Sequence, residues 1–193
     1  MILGSHNSWS YLWPKKWWQK LLFFTAKCQR LDIQDQYWAG VRCFDLRIRF
    51  INGEAHIVHN SFDYGKFNDL VWSLKWLNWM GDTKVRIIHD VRDEKDHTES
   101  NIESFKTLCK SLESYFSNIK FWCGRNLVDW GEDYEFEYKP KCIELYSSVC
   151  PPKILDDWIP SLYASIHNRN IRKGHQIDED DSSILLIDFV DKK

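Results

Sequence analysis

The chain has 193 residues, 44% of them hydrophobic and 28% charged, and its 26 basic and 28 acidic side chains leave a net charge of -2. That balance suits one globular domain and excludes a collagen, a disordered tail and a coiled coil. A mean hydropathy of -0.49 and the lack of an apolar run near the ~18 residues a span needs exclude a transmembrane helix. The near-neutral charge offers no general field for nucleic acid.

The start, MILGSHNS, has no basic lead and no sustained apolar core. No secretory signal is expected, and the compartment expected by default is cytoplasmic. The six cysteines, Cys28, Cys43, Cys109, Cys123, Cys142 and Cys150, show no C-x-x-C spacing. Zinc-type pairing is therefore not expected, and reduced thiols in structural roles are. Aromatic residues make up 16% of the chain, eleven of them Trp. They serve either a Trp-rich core or a binding surface, where an indole finds both an apolar and a polar partner.

In chain order, Ile2 to Gly4 reads as a short strand ending in Ser5-His6-Asn7-Ser8. Pro14 suits the first turn of a helix that carries Lys15, Lys16 and Lys20 beside Trp17, Trp18, Leu21 and Leu22. Val41 to Phe50 alternates at period two, with Cys43, Asp45, Arg47 and Arg49 on one face. Asn52-Gly53 is a tight-turn signal, and Ala55 to His59 is the return strand. Phe67 to Met80 is expected to be helical, with Leu70, Val71, Leu74 and Leu77 on its apolar stripe. Val85 to Ile88 is a buried strand running into His89-Asp90-Val91-Arg92. Ser100 to Phe116 reads as a helix capped by Ser100, with Glu103 three positions on. Asn118 to Cys123 and Cys142 to Tyr146 are short strands, and Leu155 to Asn168 is a helix. Ile184 to Val190 is a continuous apolar strand of the kind buried on both faces. Strands alternating with helices, apart from one early hairpin, predict a single α/β domain over 1–193 with a mostly parallel sheet.

Polar residues collect at strand ends. His6 follows the first strand, Asp45 and Arg47 share a face of the second, and His59 ends the third. Arg92 lies past the fourth, and Asp188 sits within the last. Strand ends of a barrel converge on one rim. Two histidines, an arginine and carboxylates there suit phosphodiester cleavage. One imidazole takes a proton from the attacking hydroxyl, the other gives one to the leaving oxygen, and the arginine offsets phosphoryl charge. Taken singly, each residue also fits an ordinary role: a surface or capping histidine, or a cross-face Asp45–Arg47 pair. Asp188, flanked by apolar residues, needs a buried partner, and an imidazole is the natural one.

The segments Gly4-Ser5-His6-Asn7-Ser8, Gly40-Val41-Arg42-Cys43-Phe44-Asp45-Leu46-Arg47 and Ile57-Val58-His59-Asn60 occur in an order that resembles the X region of phosphatidylinositol-specific phospholipase C. Ile87 to Arg92 and the closing Ile184 to Val190, with its Asp, resemble further strands of the bacterial members. The likeness covers about the first half of the chain and the final strand. It implies a distorted TIM (β/α) barrel, shortened because this chain is below the roughly 250 residues usual for that fold. It also implies cleavage of a lipid phosphodiester by the inositol 2-hydroxyl, giving diacylglycerol and a cyclic inositol phosphate.

Carried over residue by residue, the resemblance makes His6 the general base, Asp188 the carboxylate that orients it, and His59 the general acid. Asp45 would hold Arg47 or His59 in place. Arg47 resembles the arginine that replaces calcium in the metal-independent bacterial branch. Asn7 and Arg92 are expected to bind substrate. Positive charge at Arg47 and Arg92 argues against a bound metal, the alternative being Ca²⁺ near Asn7 and Asp45. The bacterial members have Asp where this chain has Asn7, Asn there being typical of the calcium-dependent branch, and a Gly usually stands where this chain has Asn60. The bacterial members place a membrane-touching helix where WPKKWWQKLLFF falls, so Trp13, Trp17 and Trp18 are candidates for peripheral membrane contact. The competing expectation is that Trp17, Leu21 and Phe24 face the core. Two other functions fit less well. A glycerophosphodiesterase would need an H-R-G start and an E-x-D pair, where this chain has His6-Asn7-Ser8 and Asp45-Leu46-Arg47. A non-catalytic phosphoinositide- or protein-binding barrel would have no need of two imidazoles.

Overall fold

The computed structural model describes residues 2–91, 93, 96–124, 134–146, 168 and 183–191. The chain divides into two compact units, Met1–Asp45 with Pro140–Lys193, and Leu46–Lys139. The expected α/β class holds, with parallel and antiparallel pairs both present. Arg92 and the expected helix from Leu155, apart from Asn168, lie outside the described residues.

In the first unit, β1 (Ile2–Ser5) runs parallel to β8 (Ser183–Ile187), with Ile2 opposite Ile184 and Ser5 opposite Ile187. β8 is in turn parallel to β7 (Cys142–Tyr146). β1 also pairs in parallel with the start of β2 (Cys43–Ile51), Gly4 opposite Cys43. Ile184 to Ile187 are all buried, as expected of an apolar strand covered on both faces. The apolar run itself continues to Val190, but the strand stops at Ile187. Phe189 has φ 47°, a left-handed conformation that no strand continues through.

The connection from β1 to β2 holds two short helices. α1 spans only Trp17–Leu21, and Lys16 before it is extended and makes no side-chain cap. A Pro14 start would have made it longer. Phe23–Thr25 follows as a single 3-10 turn. α2 (Ile33–Trp38) escaped the periodicity reading because it is so short; the Asp32 carboxylate caps it, accepting from the Asp35 amide.

In the second unit, β2 continues antiparallel to β3 (Glu54–His59) through an Asn52-Gly53 turn. Both turn residues have positive φ, 53° and 78°, as a two-residue hairpin of this hand requires. β3 then pairs with β4 (Phe62–Lys66), which the sequence reading passed over. The turn between them has Asn60 at φ 56°. Asn tolerates that region better than other residues with a Cβ, so it can occupy a position where a glycine would also fit. α3 (Phe67–Met80) has the expected bounds and buries Phe67, Leu74 and Leu77, while Leu70 and Val71 stay half-buried. β5 (Thr83–His89) lies beside β2 and runs parallel to β6 (Ile119–Cys123). Between them α4 (Glu99–Tyr115) buries Phe105, Cys109 and Leu112, one face of a helix. Its cap is Thr98, whose hydroxyl accepts from the Asn101 amide, and Ser100 lies inside the helix.

Candidate active site

The first unit brings together His6, Asn7, Asp45 and Asp188. The segment after β1 is fixed by its serines. Ser8 Oγ donates to the Ser5 carbonyl at 2.8 Å and accepts from the Asp45 amide at 2.7 Å. The Ser8 amide donates to the Asp45 carbonyl at 3.0 Å. These bonds lash the end of β1 to β2 and present His6 and Asn7 as a pair. Asn7 has φ 46°, which turns the chain sharply after His6.

His6 Nδ1 lies 2.7 Å from Asp188 Oδ1, and both side chains are buried. The expectation that Asp188 would find an imidazole is met in this geometry. A carboxylate at that distance accepts the Nδ1 proton and leaves Nε2 as the basic nitrogen. On the other side of the ring, His6 Nε2 is 3.9 Å from Asp45 Oδ2. Asp45 Oδ2 also accepts the Asn7 amide at 3.0 Å. The Asn7 side-chain Nδ2 sits 3.2 Å from His6 Nε2 and 3.4 Å from Cys28 Sγ.

Gln29 is a residue that strand-end reasoning missed. It is fully buried, and its Nε2 donates to the His6 carbonyl at 2.9 Å and to the Ile187 carbonyl at 3.0 Å. Its Oε1 accepts from the Val190 amide at 3.2 Å. One side chain thus spans the end of β1 and the turn that carries Asp188. Asn168 completes that turn, its Nδ2 donating to the carbonyls of Asp188 and Phe189. Nothing in the local pattern around Gln29 marks it, because its partners are all backbone groups distant in sequence. In the same unit, burial raises the Tyr11 phenol, with Asp32 adding to the rise. Burial also lowers the Lys27 ammonium, Arg30 adding to that and Asp191 opposing it.

In the second unit, Arg47 on β2 and His59 at the end of β3 are both buried. Arg49, on the same strand face as Arg47, was read from the alternation but given no role. Its Nε donates to the Asp90 carbonyl at 2.7 Å, and its Nη2 reaches Asp90 Oδ1 at 2.8 Å and the Asn60 carbonyl at 3.1 Å. Arg49 therefore ties the residue after His59 to the end of β5. Replacing Arg49 with Met is expected to lower stability by about 1.5–3 kcal/mol, the usual scale for hydrogen bonds to a charged group. A urea unfolding midpoint measures it. His89 at the end of β5 stacks on Phe105, rings 4.8 Å apart and 8° from parallel. That contact makes it a packed core residue.

The aromatic segment is exposed. Trp13 is 66%, Trp17 74% and Leu21 68% accessible, and Leu22 and Phe24 are exposed with them. The expectation that Trp17, Leu21 and Phe24 face the core is overturned. α1 buries only Gln19, and of the large apolar side chains of this stretch only Phe23 packs inward, with Trp13 against it at 4.9 Å.

A calcium ion near Asn7 and Asp45 would need six to eight oxygen ligands. Among the described residues, the candidate metal-holding group is His6, Cys28 and Asp188, which does not include Asp45.

No protein-family model matches the sequence. No curated protein matches it either. Solved structures do. The phosphatidylinositol-specific phospholipase C of Listeria monocytogenes aligns over 97% of this chain and 87% of its own, at 15% identity and a TM-score of 0.59. A double mutant of the S. aureus enzyme aligns over 97% of this chain and 84% of its own, at 15% identity and a TM-score of 0.62. A second S. aureus structure, described in terms of membrane binding, covers 95% of this chain and 70% of its own at 14% identity, with a TM-score of 0.56. The chain resembles the bacterial phosphatidylinositol-specific phospholipases C across most of its length, and it shares their fold.

Proposed function

We propose that this protein is a metal-independent phosphodiesterase that cleaves phosphatidylinositol or a related phosphodiester, on a distorted and shortened (β/α) barrel. The single observation that carries the reading is the buried His6–Asp188 pair at 2.7 Å. The carboxylate fixes the ring and stabilises the imidazolium that forms when Nε2 accepts a proton. His6 removes the proton of the substrate hydroxyl adjacent to the phosphate, and that oxygen attacks phosphorus. His59 protonates the departing glycerol oxygen. The Arg47 guanidinium offsets the charge that grows on the phosphoryl oxygens, the task a cation would otherwise perform. Asn7 and Arg92 serve as substrate-binding residues. The products are diacylglycerol and a cyclic inositol phosphate.

The His59 assignment has a direct test. A general acid matters for an alkoxide leaving group and little for a nitrophenolate, which leaves unassisted. His59→Ala should lose activity on phosphatidylinositol by roughly 10²–10⁴-fold. Its activity on an inositol nitrophenyl phosphate should fall far less. Equal losses on both substrates would remove His59 from the acid role.

The exposed Trp13, Trp17 and Trp18 carry the membrane part of the reading. A row of accessible indoles beside Lys15, Lys16 and Lys20 fits the interface between lipid and water. A Trp17→Ala, Trp18→Ala double variant should bind phosphatidylcholine vesicles at least tenfold more weakly in a sedimentation assay. Unchanged binding would take the segment out of that role. Among the described residues no helix is long and apolar enough to cross a membrane.

A further inference from the structure

The geometry points to a second use of the His6 pocket: a buried site for a zinc-type ion that competes with catalysis. One nitrogen of His6, the Cys28 sulfur and an oxygen of Asp188 lie within 4.8 Å of one another, and all three residues are buried. The catalytic reading uses His6 and Asp188 and has no task for Cys28.

The cysteine is held where it stands. Its amide donates to Ser10 Oγ at 3.0 Å, and its carbonyl accepts the Phe189 amide at 2.6 Å, one residue from Asp188. Gln29, next in the chain, clamps both His6 and β8. Cys28 is therefore fixed to the same two segments that carry His6 and Asp188.

A second observation points to a ligand. Asn7 is 97% buried, since its exposure is 3%, and its Oδ1 has no hydrogen-bond partner. The same amide's Nδ2 faces His6 and Cys28 at 3.2 and 3.4 Å. A half-turn of the amide exchanges the two atoms and points an oxygen at the trio. That oxygen, or a water it holds, would take the fourth position of a tetrahedron.

Ligand type selects the ion. A thiolate, an imidazole and one carboxylate suit Zn²⁺ or Co²⁺ and do not suit Ca²⁺ or Mg²⁺. With metal–nitrogen and metal–oxygen distances near 2.0–2.1 Å, a tetrahedral ion separates its nitrogen and oxygen by about 3.3 Å. The present His6–Asp188 separation is 2.7 Å, so the pair must open by well under 1 Å. Binding removes one proton, from the Cys28 thiol to solvent. The imidazole proton shifts from the nitrogen facing Asp188 to the other ring nitrogen, so the ring stays neutral.

The consequence is inhibition. The ion takes the lone pair facing Asp188, and the ring's other nitrogen carries the displaced proton. His6 then has no basic nitrogen for the substrate hydroxyl. This consequence rests on the phosphodiesterase reading, whereas the binding site itself does not.

The test is a titration of the purified, reduced full chain with Co²⁺ in a buffer free of phosphate. The expected result is one ion per chain, with the visible bands of tetrahedral cobalt and a thiolate-to-cobalt charge-transfer band in the near ultraviolet. Zn²⁺ should displace both. Cys28→Ser and Cys28→Ala should lose the charge-transfer band, and Cys123→Ser should keep it. Cobalt bound without that band, or a band that survives both Cys28 variants, overturns the site. The wild-type spectrum alone can overturn it, should neither variant fold. In parallel, the rate of phosphatidylinositol cleavage should fall in proportion to Zn²⁺ occupancy. Full occupancy with an undiminished rate overturns the competition. A charge-transfer band in a protein that cleaves nothing supports the site and rejects the catalytic reading.

Discussion

Replacing His6 with Gln is expected to slow phosphatidylinositol cleavage by roughly 10²–10⁴-fold, the usual contribution of a positioned general base. The loss should fall on kcat, because His6 acts on a proton in flight and supplies little ground-state binding. Glutamine keeps a polar side chain near Asp188 and cannot accept the proton. Asp188→Asn should fall in the same direction, since an amide cannot stabilise the imidazolium as a carboxylate does. The measurement is a steady-state rate on mixed micelles, with far-ultraviolet circular dichroism to show that each variant folds. A His6→Gln enzyme within a factor of three of the wild type would end the general-base assignment.

The second large effect is expected at Gln29. Gln29→Met keeps the volume and deletes three hydrogen bonds. The Ile187 carbonyl still accepts the His6 amide at 2.9 Å, so it keeps a partner. The His6 carbonyl and the Val190 amide lose the Gln29 bond and stay buried. At about 0.5–1.5 kcal/mol net for each of the three lost hydrogen bonds, the loss is roughly 1.5–4.5 kcal/mol. In a chain of this size that lowers Tm by about 3–18 °C. Activity should fall further than the unfolded fraction explains, because the turn holding Asp188 hangs from the same side chain. A Tm within 2 °C of the wild type would show that the clamp contributes little.

Legibility in the sequence followed the kind of signal each element carries. Long periodic segments were read within a residue or two: α3 has the expected bounds, and α4 begins and ends one residue earlier than expected, capped by Thr98. The Asn52-Gly53 hairpin was plain because both residues suit positive φ. Short elements were hidden. α2 offers six residues and β4 five, too few for periodicity to stand out. β8 ended early because Phe189 turns the chain, and no residue type announces that.

The candidate site divides in the same way. His6 and Asp188 were legible from opposite ends of the chain, one after a strand and one as a charge inside an apolar run. Their contact followed from the cost of an unpaired buried carboxylate. Gln29 and Cys28 were not legible. Their importance lies in distant backbone partners and in neighbours brought close by β1 pairing with β8, and neither leaves a local pattern. Arg49 was visible as a position on a strand face, but its hold on Asn60 and Asp90 depends on β3 and β5 meeting β2.

The central claim is a proton relay through His6 that forms a cyclic phosphate without a metal. Phosphorus NMR of the protein with phosphatidylinositol in detergent micelles, run with and without EDTA, tests it most directly. The account predicts the cyclic inositol phosphate resonance as the first product, equally fast in both samples and suppressed in His6→Gln. A linear phosphate appearing first, a reaction abolished by EDTA, or an unchanged lipid signal in both samples would contradict it.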